Sequence, residues 1–265
     1  MTNMSTKPLR LDHRIGITLH RVVTKGLLRR SQSLFLLGTM RSGSTVLTNI
    51  LISHDDIAGF AESMLVYDRP ARLLDLRYWT FRYMHRYPSF KKRLFDKILH
   101  NHLLPQGFDP FDPEQTHLIF LVRSPASTAR SIAKMFSDIG DAYTTDHIWA
   151  LLADRYLKLA ELSTQAAGRF PIAALSYEAL VSEPDAALVS LSDFLDLSTP
   201  LTRRYKVQRW VGRWGLGDGS DNIKKGELIA KTRPPVTYND VPDQVRDAYE
   251  ALLQTLKDTA DITQL

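Results

Sequence analysis

The chain contains no cysteine in 265 residues. Disulfides, thiolate metal sites and a cysteine nucleophile are therefore excluded, and the composition suits a reducing compartment such as the cytoplasm. No run of 18 apolar residues occurs, so no membrane-spanning helix is expected. The N-terminus also lacks the apolar centre and small-residue cleavage site of a secretory signal. None of the eight histidines falls in an H-x-x-x-H or H-E-x-x-H pattern, which leaves a metal site without support. Internal repeats and low-complexity tracts are missing too. The excess of positive charge is small: a net charge of +5 and a pI of about 9.3 point to an anionic ligand more than to a nucleic-acid coat.

Hydrophobic residues make up 44% of the chain, enough for a single domain over residues 1–265. Short apolar runs alternate with longer helical stretches, which is the pattern of an α/β fold. Strands are expected at Leu34 to Leu37, Ile57 to Ala61, His117 to Val122 and Pro171 to Leu175. Helices are expected at Ser44 to Ser53, Ala126 to Ser137, Tyr143 to Ala167, Asp185 to Leu195 and Asp243 to Lys257. Pro184 and Pro242 stand where helix starts tolerate proline. The expected architecture is a three-layer, P-loop-like parallel sheet flanked by helices.

Two segments break this rhythm. Residues 1–33 read as a basic helical extension, with Leu11, Ile15, Leu19, Val22, Val23 and Leu27 at helical spacing among Arg14, Arg21, Lys25, Arg29 and Arg30. Such a helix can make a peripheral contact with the inner face of a membrane. Packing on the domain's own surface is the plainer expectation, because Gly16 and Gly26 weaken the helix. Residues 65–113 read as a helical insertion after the second strand, with Arg69, Arg72, Arg77, Arg82, Arg86, Lys91, Lys92 and Arg93 among Tyr78, Trp79, Phe81, Tyr83, Tyr87 and Phe90. Interleaved cations and aromatics can line a sugar or nucleic-acid groove. Here Asp68, Asp75 and Asp96 dilute the positive field, which favours a helix with a solvated basic face and an aromatic core face.

The most informative segment is Gly38-Thr39-Met40-Arg41-Ser42-Gly43-Ser44-Thr45, set between an apolar run and a helical one. Strand, tight loop and helix N-terminus in that order make an anion cradle, because unpaired N–H groups and the helix dipole face the incoming ligand. The spacing is that of a P-loop, but Ser44 stands where a nucleotide triphosphatase has lysine. Arg41 is the loop's only cation. A second anion site follows the third expected strand, where Arg123 is followed eight residues later by Ser131. Sheet ligands gather at strand carboxyl ends, so the two side chains can meet on one phosphate. A magnesium-dependent ATPase would show a carboxylate near Arg123.

Together these motifs resemble the sulfotransferases that use 3′-phosphoadenosine 5′-phosphosulfate (PAPS) as co-substrate. In that family a [KR]-x-G-[ST]-[ST] loop holds the 5′-phosphosulfate, and Arg41-Ser42-Gly43-Ser44-Thr45 is similar. Arg123 and Ser131 match the family's 3′-phosphate pair. Ser176-Tyr177-Glu178, followed by Glu183-Pro184 and Phe194-Leu195, looks like its third element, which implies that Tyr177 lies near the adenine. Lys224-Lys225-Gly226 resembles the loop that closes over the 3′-phosphate. The resemblance covers about residues 34 to 230 and implies sulfuryl transfer without a metal.

An acceptor hydroxyl benefits from a general base. Glu62, after the second expected strand, is the first candidate, and family members acting on carbohydrates often carry a glutamate there. Ala61-Glu62-Ser63 therefore looks closest to bacterial carbohydrate-type members and implies a glycan or glycolipid acceptor. His102, in His100-Asn101-His102-Leu103-Leu104-Pro105, resembles the His-Leu-Pro string of members acting on phenols and small alcohols. It departs from that string by the interposed Leu104 and by His100 in place of the usual lysine, although Lys97 lies one turn upstream if the segment is helical. A small phenol or lipid alcohol is thus the alternative acceptor. An atypical P-loop kinase and a non-catalytic anion- or RNA-binding protein are the readings from other classes.

Overall fold

The computed structural model describes residues 11–24, 32–60, 62–84, 93–138, 140, 143–208, 221–232, 238 and 240–265. Among them six strands form one sheet: β1 Ser33–Gly38, β2 Ile57–Gly59, β3 Arg93–Ile98, β4 Thr116–Val122, β5 Ile172–Ser176 and β6 Ile262–Gln264. The order is β2-β3-β1-β4-β5-β6 and every pairing is parallel. The helices are α1 Leu11–Thr24, α2 Ser44–Ser53, α3 Arg72–Met84, α4 Pro125–Asp138, α5 Thr145–Ala166, α6 Tyr177–Ser182, α7 Pro184–Phe194, α8 Asp221–Lys224 and α9 Asp243–Thr259.

A parallel strand covered on both faces needs apolar residues on both, and β1 is buried at all six positions. Its side chains alternate between two cores. Phe35 and Leu37 pack with Phe120, Tyr156 and Leu252 beneath α5 and α9, while Leu34 and Leu36 pack with Leu47, Leu175 and Leu188 beneath α2 and α7. This is the expected three-layer α/β arrangement. β1 lies between β3 and β4, so the chain leaves its carboxyl end toward one side of the sheet and later crosses to the other. The crevice at such a switch point is where sheet ligands bind.

The segment read as a helical insertion is only partly helical. It holds α3, but also β3, a central strand between β2 and β1. Arg93, Asp96 and Lys97 interrupt its apolar pattern, yet all six residues are buried. The strand signal was hidden because Glu62, Ser63 and Tyr67, from the stretch between β2 and α3, come to meet Asp96 and Lys97. The expected basic face of α3 is also incomplete, since Arg77 is buried. Tyr87, Phe90, Lys91 and Lys92 lie outside the described residues, as does Ala61 at the end of the second expected strand.

Candidate active site

The geometry begins at Gly38, where β1 ends beside β4. A Cβ there would lie 2.6 Å from the Leu121 carbonyl oxygen, so glycine permits the two strands to end side by side. The chain then turns sharply, with the Ser42 N–H bonded to Thr39 O at 3.3 Å and Arg41 held at φ 63°. That left-handed conformation costs a non-glycine residue about 1–2 kcal/mol. Gly43, at φ 90°, precedes α2 and supplies no side-chain cap. The first N–H groups of α2 therefore face the loop with the helix's positive end behind them. Ser42 Oγ and Thr39 Oγ1 are buried without a hydrogen-bond partner among the described residues. These orphaned donors fit an anionic group, which would satisfy them.

The two anion sites expected from the sequence form one constellation. Arg41 Nε donates to Ser131 Oγ at 3.0 Å, and Arg123 donates to the Arg41 carbonyl at 2.7 Å and to Ser127 Oγ at 3.3 Å. The Arg123 guanidinium lies over the Tyr177 ring, 4.4 Å from its centroid. The same ring closes on the loop, because a Cβ at Gly43 would stand 2.3 Å from Tyr177 Cδ2. Arg41, Gly43, Arg123, Ser131 and Tyr177 are thus neighbours at the carboxyl ends of β1, β4 and β5. Ser44, buried, and Thr45 open α2 beside them.

A second cluster sits at the end of β3. Lys97 Nζ is 3.4 Å from Glu62 Oε2, and His100 Nε2 is 3.8 Å from Glu62 Oε1. Lys97 is in a strand, not one helical turn above His102 as the string suggested, and its buried ammonium faces the carboxylate. Burial pulls the His100 imidazole below its ordinary value, against the opposing effect of Glu62. His102 is exposed on the 3₁₀ turn Asn101–Leu103, its ring 5.7 Å from that of His100. Asp96 fixes the Glu62 loop: it accepts from the Ser63 N–H at 3.0 Å, from the Ser63 hydroxyl and from Tyr67 OH at 2.7 Å. Burial pushes the Asp96 carboxyl up to about 6, although these hydrogen bonds oppose the rise.

Arg155 joins the two clusters. It donates to Gly38 O at 2.9 Å, Ile98 O at 2.7 Å and Asn101 Oδ1 at 2.7 Å, tying the ends of β1 and β3 to the turn after His100. Burial brings its guanidinium down to about 9. Sequence reasoning passed over this residue. Its signal was an arginine inside the buried stripe Leu152, Tyr156 and Leu159 of α5. Glu178 was quoted only as part of a motif, yet its carboxylate accepts from the Ser124 N–H at 3.2 Å and links the ends of β4 and β5. Lys224 and Lys225 are exposed at and just after the end of α8, and Gly226 follows at φ 70°. Flanking segments are tied down by two N–H groups: that of Lys206 donates to Ser53 Oγ of α2, and that of Lys231 to the Val181 carbonyl of α6.

No group of three or more histidine, aspartate or glutamate side chains is placed to hold a metal among the described residues. Comparison with known proteins decides the family: the model of the sulfotransferase domain matches residues 31–214. The chain belongs to the sulfotransferase domain family. Its co-substrate is accordingly the family's donor, PAPS. Among solved structures this sulfotransferase is similar to the sulfotransferase domain from the curacin biosynthetic pathway, at 18% identity and a TM-score of 0.57, covering 84% of this chain and 97% of the other. It is also similar to the sulfotransferase domain of the Synechococcus PCC 7002 olefin synthase, at 18% identity and a TM-score of 0.54, covering 83% and 94%. These likenesses are of fold. No curated protein matches the sequence.

Proposed function

We propose that this sulfotransferase moves the sulfuryl group of PAPS to a hydroxyl of a glycan or glycolipid. The observation that carries the reading is that Arg41, in the loop leading into α2, bonds to Ser131 while Arg123 bonds to the Arg41 carbonyl. In it, Arg41, Ser42, Gly43, Ser44 and Thr45 hold the 5′-phosphosulfate, and Arg123 and Ser131 hold the 3′-phosphate. Tyr177 lies against the adenine, and Lys224, Lys225 and Gly226 cover the 3′-phosphate side. A bond forms between sulfur and the acceptor oxygen as the bond from sulfur to the bridging oxygen breaks. The electron pair stays with the departing phosphate, where Arg41 and the loop N–H groups neutralise it. The acceptor's proton passes to Glu62.

The glycan assignment rests on a carboxylate base beside a buried lysine, in the position where the resemblance puts carbohydrate-type members. Trp210 and Trp214, aromatic residues suited to stacking on a sugar ring, lie outside the described residues. His100 favours a second reading. A half-buried imidazole beside Glu62 could itself take the proton of a small phenol or lipid alcohol.

The test uses sulfur-labelled PAPS with glycan, glycolipid and phenol acceptors, in the presence of chelator. Label is expected on a glycan-type hydroxyl, and 3′,5′-adenosine bisphosphate is expected to raise the melting temperature. Arg41→Ala is expected to cut turnover about 10²–10³-fold with the fold intact. Stabilisation by magnesium ATP alone, with no labelled product from any acceptor, would overturn the reading.

A further inference from the structure

α1 packs on α3 with its more polar side inward. Arg21 bonds to the buried carboxylate of Asp75, with Nε to Oδ1 at 2.6 Å, and the His13 ring lies 5.2 Å from that of Trp79. Ile17 and Thr24 complete the buried side. The opposite side carries Ile15, Leu19, Val22 and Val23, which are 60%, 63%, 73% and 71% exposed. Spacings of four, seven and eight residues put these four on one face. An amphipathic helix that folds only for its own domain buries its apolar face. This one uses an ion pair and aromatic edges to dock, and leaves the apolar stripe open.

The sequence charge of the N-terminal segment selects the occupant of that stripe. Residues 1–32 carry seven arginines and lysines against one acid, Asp12. A second copy of the chain on the same face would bring two such positive segments together, which like-charge repulsion opposes. An anionic lipid surface answers both features, since a short apolar stripe binds weakly alone and a basic segment in the same stretch of sequence supplies the second signal. We propose that α1 docks the enzyme on anionic membrane surfaces, with Ile15, Leu19, Val22 and Val23 entering the interface and the net positive charge of residues 1–32 adding electrostatic attraction.

The intact chain is expected to sediment with phosphatidylcholine vesicles containing about 30% phosphatidylglycerol, and to bind pure phosphatidylcholine vesicles at least about tenfold more weakly. The double variant Leu19→Glu/Val23→Glu should lower partition onto the anionic vesicles more than about tenfold. Its circular dichroism and its stabilisation by 3′,5′-adenosine bisphosphate should not change. The milder pair Leu19→Ser/Val23→Ser should give an intermediate loss. Vesicle binding that is absent, or equal in native and variant chains, overturns the proposal. So does a concentration-dependent dimer in sedimentation velocity that the double variant abolishes, which would make a second copy the occupant. Partition needs neither donor nor acceptor, so this test stands or falls separately from the sulfuryl-transfer reading.

Discussion

Glu62 is held between two groups that act differently on a proton. Lys97 Nζ is 3.4 Å away and buried, while His100, 3.8 Å away, is kept toward its neutral form by burial. If Glu62 accepts the acceptor's proton, Glu62→Gln should lower kcat about 10²–10⁴-fold. Affinity for 3′,5′-adenosine bisphosphate, measured by calorimetric titration, should be unchanged, because the donor loop is built from other residues. An unchanged kcat would transfer the role to His100. The loop itself depends on the missing side chain at position 43. Gly43→Ala would place a methyl group 2.3 Å from Tyr177 Cδ2 at φ 90°. The backbone conformation alone costs about 1–2 kcal/mol, and the ring must also move off the loop. Donor affinity should fall at least about tenfold in the same titration, while the acceptor side of the site is untouched.

At the level of elements, the site is a set of strand ends held in register by Arg155. One guanidinium serves the carbonyls of Gly38 and Ile98 and the Asn101 side chain. Arg155→Met keeps much of the volume and removes every donor, leaving three acceptors unpaired. It should lower stability by about 3 kcal/mol or more, read as a shift in the urea midpoint at unchanged slope. The same interaction explains what could be read from sequence. β1, the loop and α2 were legible because an apolar run, a glycine pair and a helical run are local signals, and α2 was placed at Ser44 and Ser53 as observed. Arg41, Arg123 and Ser131 were legible because their spacing follows from strand and helix geometry. β3 was not. Its Asp96 and Lys97 are buried only because Ser63, Tyr67 and Glu62 come from the preceding loop to meet them, and a window along the chain does not contain that fact. β6 has only three residues, with Gln264 as its last. The apolar periodicity of α1 was visible too. Which face it would bury was decided by Asp75 on α3, more than fifty residues away.

Across the whole molecule, two titrating groups on the strands flanking β1, the buried Asp96 and the half-buried His117, give opposite pH dependences. Asp96 on β3 has its carboxyl pushed up to about 6 by burial. Between about pH 4 and 6 the folded chain therefore keeps a proton that the unfolded chain releases. By linkage this contribution is fully present below about pH 4 and is lost as pH rises through about 6, a change on the order of 3 kcal/mol. His117 on β4 has its imidazole lowered to about 4 by burial, assisted by Arg93. Over about pH 4 to 6.5 the unfolded chain binds the extra proton there, so that contribution rises with pH. The two slopes oppose each other in the native protein, and its urea midpoint should vary little from about pH 4.5 to 6.5 on their account. Asp96→Asn removes the falling component. The variant should be less stable than the native chain at pH 4.5, where the protonated carboxyl still holds Ser63 and Tyr67, and its midpoint should climb toward pH 6.5 as His117 loses its penalty. Parallel midpoint profiles for the native chain and the variant would mean that Asp96 does not keep its proton in the folded state, and that Ser63 and Tyr67 are held by a charged carboxylate throughout this range.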